Sequence, residues 1–253
     1  MSTVATRVGT FVWHEQVSSD PAKAEEFYTQ LFGWGTEVFK PGEIDYKMIS
    51  SSGQTHGGFS TAMEGAPPPH WLGHVRVEDV DETVEKAKNA GGKLVAGPFD
   101  MSEVGRMAII VDPQGAFLGI YQPAGDGGES EGVFVWDELG TTDADAAQRF
   151  YEEVFDWTTT DMGSDFGGYR IFDRAQGTGQ GHAGLMQNQD PAIPSMWVPY
   201  VGVEDVDGTV AKAQELGGSV LVEAMDVPTV GRFAVIKDPQ GAVLGVIKPE
   251  PAS

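Results

Sequence analysis

Two glutamates, three histidines and a set of tryptophans are the residues of this chain best suited to chemistry. Glu15 and Glu138 stand in matching segments, Phe11-Val12-Trp13-His14-Glu15 and Phe134-Val135-Trp136-Asp137-Glu138. On a strand, alternate residues share a face, so Glu15 lies with Trp13 and Glu138 with Trp136. An aromatic wall with one carboxylate suits an aromatic or cationic ligand, through stacking and charge. A partly buried carboxylate can also serve as a general base, which makes Glu15 and Glu138 the catalytic candidates. The competing expectation is that the tryptophans are core and each glutamate pairs with an arginine or a backbone donor. His56 and His182 match each other, in His-Gly-Gly and His-Ala-Gly, and His74 matches Tyr200. These four join Trp13 and Trp136 as candidate ligand-binding residues. Glu15, His56 and His74 also approximate two histidines and a carboxylate, the donor set of a non-haem iron site. The second copy offers only Glu138, His182 and Tyr200. Arg106 and Arg232 follow a glycine at a strand start. They either clamp an anionic ligand or pair with acids, and the surplus of 38 acidic over 16 basic residues favours the second. Met101, Met107, Met162, Met186 and Met225 follow no period and read as core filler.

The elements that position these residues come from a repeat. Phe27-Tyr28 returns as Phe150-Tyr151 and Trp34 as Trp157, a shift of 123. Val77-Glu78-Asp79-Val80 returns as Val203-Glu204-Asp205-Val206, and Asp112-Pro113-Gln114-Gly115 as Asp238-Pro239-Gln240-Gly241, a shift of 126. Duplicated segments predict duplicated structure. Within each half the pattern divides again. A strand at Phe11–Val17 leads to a helix with Asp20 as N-cap, Pro21 at its first position and Gly33 after its last turn. Ala24, Phe27, Tyr28 and Leu31 form its buried face. Three short strands follow, around 37–39, 46–50 and 57–61. A second module begins with a strand at Leu72–Val77 and a helix capped by Asp79, with Val80, Val84 and Ala87 inward and Gly91-Gly92 at its end. Strands follow at 93–96, 106–112 and 116–122, the last two joined by an Asp-Pro-Gln-Gly turn of type I preference. Modules at 11–61, 71–122, 133–187 and 197–248 give an α+β chain of four tandem βαβββ units. The expected domains are 8–122 and 133–250, joined by a Gly- and acid-rich linker at 123–132.

Composition bounds the function. The 253 residues suit two domains, and a hydrophobic fraction of 40% suffices for packed cores. There is no cysteine, so disulfides, thiolate metal sites and thiol nucleophiles are excluded. A net charge of −22 repels a phosphate backbone and argues against nucleic acid. No apolar signal core opens the chain, and no run approaches the roughly 20 apolar residues of a membrane helix. The expectation is a soluble, cytoplasmic protein, monomer or homodimer, whose partner is a small molecule. There is no phosphate loop, nucleophile elbow or His-Glu-x-x-His.

Four βαβββ modules with Val-x-Asp-Val helix entries and Asp-Pro-x-Gly hairpins resemble the vicinal oxygen chelate superfamily. That family spans glyoxalase I, bleomycin- and fosfomycin-resistance proteins and extradiol dioxygenases. Phe-Val-Trp-x-Glu at the start of each half is similar to a group of two-domain actinobacterial glyoxalase-like proteins. The resemblance covers about 11–248. It implies strands curled around a cavity, with metal ligands on the first and last strands of modules. The positions it assigns are Trp13, Leu72, Trp136 and Val198 on first strands. On last strands they are Gly119 and Gly245, with counterparts about Gly57 and Ala183. None of these side chains can ligate a divalent cation. The resemblance therefore implies metal-independent binding, of the sequestration or resistance type, with no cofactor. The alternatives are a divalent metal at His56, or a glyoxalase-like lyase or dioxygenase-type enzyme acting on a small carbonyl or aromatic substrate.

Overall fold

The computed structural model describes residues 8–40, 45–101, 103–125, 132–174 and 181–250. It contains the four βαβββ modules in the expected order. The first is β1 (Phe11–Ser18), α1 (Pro21–Phe32), β2 (Gly35–Phe39), β3 (Tyr46–Ser51) and β4 (Gln54–Thr61). The second is β5 (His70–Arg76), α2 (Val80–Asn89), β6 (Lys93–Met101), β7 (Gly105–Val111) and β8 (Phe117–Pro123). The third is β9 (Phe134–Thr141), α3 (Ala144–Phe155), β10 (Trp157–Asp161), β11 (Arg170–Arg174) and β12 (Ala183–Gln187). The fourth is β13 (Met196–Gly202), α4 (Val206–Glu215), β14 (Ser219–Val227), β15 (Gly231–Lys237) and β16 (Val243–Pro249). β2, β4 and β6 run longer than expected, while β7 and β8 keep the expected length, shifted by one residue. The expected linker begins inside β8 at Pro123, and its residues 126–131 lie outside the described residues.

Local rules explain the helices. Asp79, Asp143 and Asp205 each accept the backbone N–H three residues on, at 2.9–3.0 Å, and Asp20 does so at 3.3 Å. These bonds satisfy one of the donors that a helix start leaves open. Gly33 ends α1 in the left-handed conformation (φ 71°), its N–H bonded to the Thr29 carbonyl at 2.9 Å. Asp156 holds the same conformation after α3 (φ 55°). Among the described residues no helix is long and apolar enough to cross a membrane.

Hydrogen bonding orders the strands as two sheets, β2-β3-β4-β1-β5-β8-β7-β6 and β10-β11-β12-β9-β13-β16-β15-β14. In each module the first and last strands run parallel, which the intervening helix permits. The chain also forms two compact units. One contains Met1–Trp13, Gly73–Glu129 and Asp137–Trp197, chiefly the second and third modules. The other contains His14–Leu72, Ser130–Trp136 and Val198–Ser253, chiefly the first and fourth. Val75, Ile110, Leu118, Phe150 and Leu185 belong to the core of the first unit, and Phe27, Ile49, Phe59, Val201 and Leu244 to that of the second. Full burial of each such side chain is worth about 1.5–3 kcal/mol before entropy is counted.

Each core is closed by a polar clasp. In the first unit, one oxygen of buried Asp112 accepts the Gln114 and Ala116 N–H groups of its own turn, at 2.9 and 2.8 Å. The other accepts the Tyr151 hydroxyl at 3.0 Å, and Trp197 Nε1 donates to that hydroxyl at 2.9 Å. Asp238, Tyr28 and Trp71 repeat this in the second unit, at 3.0 and 2.9 Å. The Asp-Pro-Gln-Gly turn thus joins one module to the helix of another. Burial pushes the Asp112 carboxyl above its ordinary range and drives the Tyr28 and Tyr151 hydroxyls well above theirs.

Arg106 pairs with Asp81 and Asp100, and Arg232 with Asp207 and Asp226, at 2.7–2.9 Å. The acid-pairing alternative is the one observed. The methionines correct an expectation: Met162 and Met225 are 38% and 46% exposed, so they do not fill core.

Candidate functional site

Strand alternation separates two faces. On β1, His14, Gln16 and Ser18 are buried. His14 stacks on Phe134 at 4.1 Å, and Gln16 lies within 3.5 Å of Asp238 in the clasp. From His14 to Ser18 the even residues of β1 therefore face the helix-packed core. Half-buried Glu15 takes the face opposite the helices, with Trp13 two residues before it. Phe11 at the strand start packs against a core. On β5, Trp71 and Val75 belong to the cores, which puts Leu72 and His74 on the face opposite the helices.

The parallel registers give all four modules one rule. Glu15 pairs with Gly58, His74 with Gly119, Glu138 with Gly184, and Tyr200 with Gly245. Each time a large polar side chain on the first strand stands beside a glycine on the last. This corrects the last-strand counterparts expected at Gly57 and Ala183. Those residues pair with His14 and Asp137, and Ala183 sits in the helix-packed core. The β3–β4 hairpin carries a register shift between Ile49 and Ser50, whereas β11 and β12 pair regularly, so the one-residue offset recurs with and without a bulge.

The glutamates have specific partners. Tyr46 at the start of β3 donates its hydroxyl to Glu15 Oε1 at 2.7 Å. Tyr169, one residue before β11, donates to Glu138 Oε2 at 2.9 Å. Hydrogen bonds to an ionised acceptor are short and fix its orientation. Space for Tyr46 comes from Gly58, where a Cβ would lie 2.1 Å from the tyrosine oxygen. Sequence reasoning overlooked both tyrosines, although Tyr46 and Tyr169 obey the same shift of 123 as the glutamates.

Gly119 and Gly245 bear directly on metal binding. A Cβ at Gly119 would come within 2.2 Å of His74 Nδ1, and one at Gly245 within 2.2 Å of Tyr200 Cδ1. The last-strand ligand positions thus lack a donor, and a ring from the adjacent strand fills the volume a side chain would need. Among the described residues no three His, Asp or Glu side chains converge on a point where an ion could sit. The residues present do not fit the metal of the superfamily's metal enzymes.

The other candidates are dispersed. His56 is buried, with Nε2 3.3 Å from the Ser51 carbonyl oxygen. His182 lies edge-on to Trp157, with ring centres 4.7 Å apart. Burial, with Arg174 adding in the same direction against Asp173, lowers the His182 pKa to about 4, so the ring is neutral near pH 7. Neither of its nitrogens has a hydrogen-bond partner among the described residues. Tyr200 is 5% exposed and meets Phe233 edge-on at 6.2 Å. Trp136 is half-buried on the same strand face as Glu138.

With this geometry in place, comparison with known proteins identifies the lineage. The family model for the glyoxalase/bleomycin resistance protein/dioxygenase superfamily matches residues 10–120 and 134–246. The chain is 38% identical over 255 residues to "Putative glyoxylase CFP32" of Mycobacterium tuberculosis, covering 97% of each. It is 31% identical over 261 residues to the anthracycline biosynthesis protein DnrV of Streptomyces peucetius, covering 95% of this chain and 93% of that one. Among solved structures it resembles the Mn(II)-bound glyoxalase from Novosphingobium aromaticivorans, with a TM-score of 0.66 and 14% identity. That match covers 96% of this chain and 82% of the other. The 2,3-dioxygenase LapB from Pseudomonas sp. KL28 matches with a TM-score of 0.63 and 10% identity, covering 97% and 94%. At such identities these structures share the fold alone. The chain belongs to the glyoxalase/bleomycin resistance protein/dioxygenase superfamily.

Proposed function

We propose that this protein binds a small, flat organic molecule without a metal ion, on the strand faces opposite the helices. Glu15 and Glu138 are the polar anchors, held by Tyr46 and Tyr169, and Trp13 and Trp136 are the stacking surfaces on the same strand faces. The observation that carries this reading is the filling of the last-strand ligand positions at Gly119 and Gly245 by the His74 and Tyr200 rings. A planar aromatic ligand agrees with a relative named for anthracycline biosynthesis. The acidic chain, with a carboxylate on each face, favours a neutral or cationic ligand.

The test is thermal unfolding of chelator-treated protein with planar aromatic probes, such as the cation proflavine and its neutral analogue anthracene-9-methanol. A ligand that binds only the folded chain at 100 times its Kd stabilises it by about 2.7 kcal/mol. The expected result is a rise in Tm that Glu15→Gln combined with Glu138→Gln removes. An unchanged Tm with every probe, or a rise that requires added metal, sinks the proposal.

A second reading is an enzyme of glyoxalase or dioxygenase type, favoured by the Glu–Tyr bonds and by the relative named as a glyoxylase. Glu15 or Glu138 would take the proton from the carbon bearing the thiol adduct of an α-ketoaldehyde and return it to the neighbouring carbon. The tyrosine hydroxyl would hold the carboxylate in place. Turnover of a methylglyoxal–thiol adduct by chelator-treated protein, lost in Glu15→Gln/Glu138→Gln, would establish it. Absence of turnover rejects it.

A further inference from the structure

The two compact units follow one plan, and one of their differences opens a groove. In the second unit a groove of about 420 Å³ lies beside the end of α1 and the start of α4. Its floor is apolar and includes Phe32, Trp34, Val133 and Val201. Its rim includes Lys212, Glu204 and Asp205. At the equivalent positions of the first unit the chain carries long or charged side chains. Arg76 stands where the second unit has Gly202, and Glu82 where it has Gly208. Asp156 stands in place of Gly33, and Arg174 in place of Ser51. Three of these four small residues line the groove, and the fourth, Gly33, directly follows Phe32.

The lysine makes the difference chemical. Lys86, the counterpart of Lys212, meets Asp156 at 3.4 Å and Glu82 at 3.5 Å. Both acids are glycine in the second unit, and Lys212 has no ion pair among the described residues. In a chain of net charge −22 this leaves a cation outside any ion pair among the described residues, beside an aromatic floor. The volume falls in the range of small-molecule sites, and such sites pair an apolar floor with a few polar groups.

We infer that this groove is a second binding site, for a flat aromatic molecule bearing one carboxylate, which pairs with Lys212 while its rings lie on Phe32 and Trp34. Glu204 and Asp205 at the rim limit the ligand to a single negative charge. This site lies apart from the strand faces of the proposed function and takes the opposite ligand charge.

The experiment is isothermal titration with 1-naphthoate, against 2-naphthol and 1-naphthylmethylammonium, on the full chain. Naphthoate should bind more tightly than either comparator. Lys212→Met, an exposed change, should weaken naphthoate about tenfold and leave 2-naphthol unchanged. Gly33→Asp with Gly208→Glu rebuilds the charge bridge of the other unit and should weaken both ligands. Glu15→Gln/Glu138→Gln should leave naphthoate binding intact. No naphthoate binding at millimolar concentration, equal binding by Lys212→Met, or preference for the ammonium probe overturns the inference. Loss of naphthoate binding in Glu15→Gln/Glu138→Gln would place the probe on the strand faces. That result overturns the inference and leaves the proposed function standing.

Discussion

Gly119→Ala tests the packing on which the proposed metal-independent binding rests. The added methyl would lie 2.2, 2.5 and 2.6 Å from Nδ1, Cε1 and Cγ of His74. These distances are about 1 Å short of ordinary contact, so the ring must swing out of a site where it is only 3% exposed. Overpacking of this kind costs about 1–3 kcal/mol. The φ of Gly119 is not positive, so the alanine gains roughly 0.4–1 kcal/mol by restricting the unfolded chain. The net expectation is a loss of about 1–2 kcal/mol. In a His74→Ala background the methyl enters vacated space, and Gly119→Ala should become stabilising by up to about 1 kcal/mol. The coupling between the two positions is therefore about 2 kcal/mol, well above the additivity error of distant sites. Urea unfolding of the four proteins measures it. A neutral Gly119→Ala, or a coupling under about 0.5 kcal/mol, would refute the claim that the His74 ring occupies the ligand position. An acidic side chain could then be accommodated there.

Other outcomes follow from the same geometry. Tyr151→Phe strands the Trp197 N–H and one oxygen of Asp112, and should cost about 3 kcal/mol, a Tm drop of roughly 6–12 °C. The folded Asp112 pKa is raised, so its contribution to stability is full below the unfolded carboxylate range and is lost as pH rises through the folded value. Tyr151→Phe should accordingly cost less in acid than at pH 7, and the opposite order in urea titrations would count against the clasp. Gly58→Ala places a methyl 2.1 Å from the Tyr46 oxygen, so it should break the Glu15–Tyr46 bond. Calorimetry should then show weaker proflavine binding, and unchanged affinity would mean the bond is irrelevant to the site. Asp143→Ala removes the α3 cap and should cost about 1 kcal/mol in the same urea assay.

The sequence by itself determined the repeat, the four βαβββ modules and the helix caps. Those features obey local rules: Asp20, Asp79, Asp143 and Asp205 bond three residues ahead, and apolar residues recur at helical spacing. That Glu15 shares a strand face with Trp13, and Glu138 with Trp136, was legible for the same reason, because alternation along one strand needs no knowledge of its neighbours. The Asp112–Tyr151 and Asp238–Tyr28 clasps, each joining residues from different modules, were decided only by tertiary structure. So were the bonds from Tyr46 and Tyr169 and the registers that set Gly58 and Gly184 beside the glutamates. Register is set by pairing with other strands, and an offset of one residue moves a side chain to the other face. The meaning of Gly119 and Gly245 is the plainest case. As letters they show only that a donor is missing, and the packed chain shows that a neighbouring ring has taken the space.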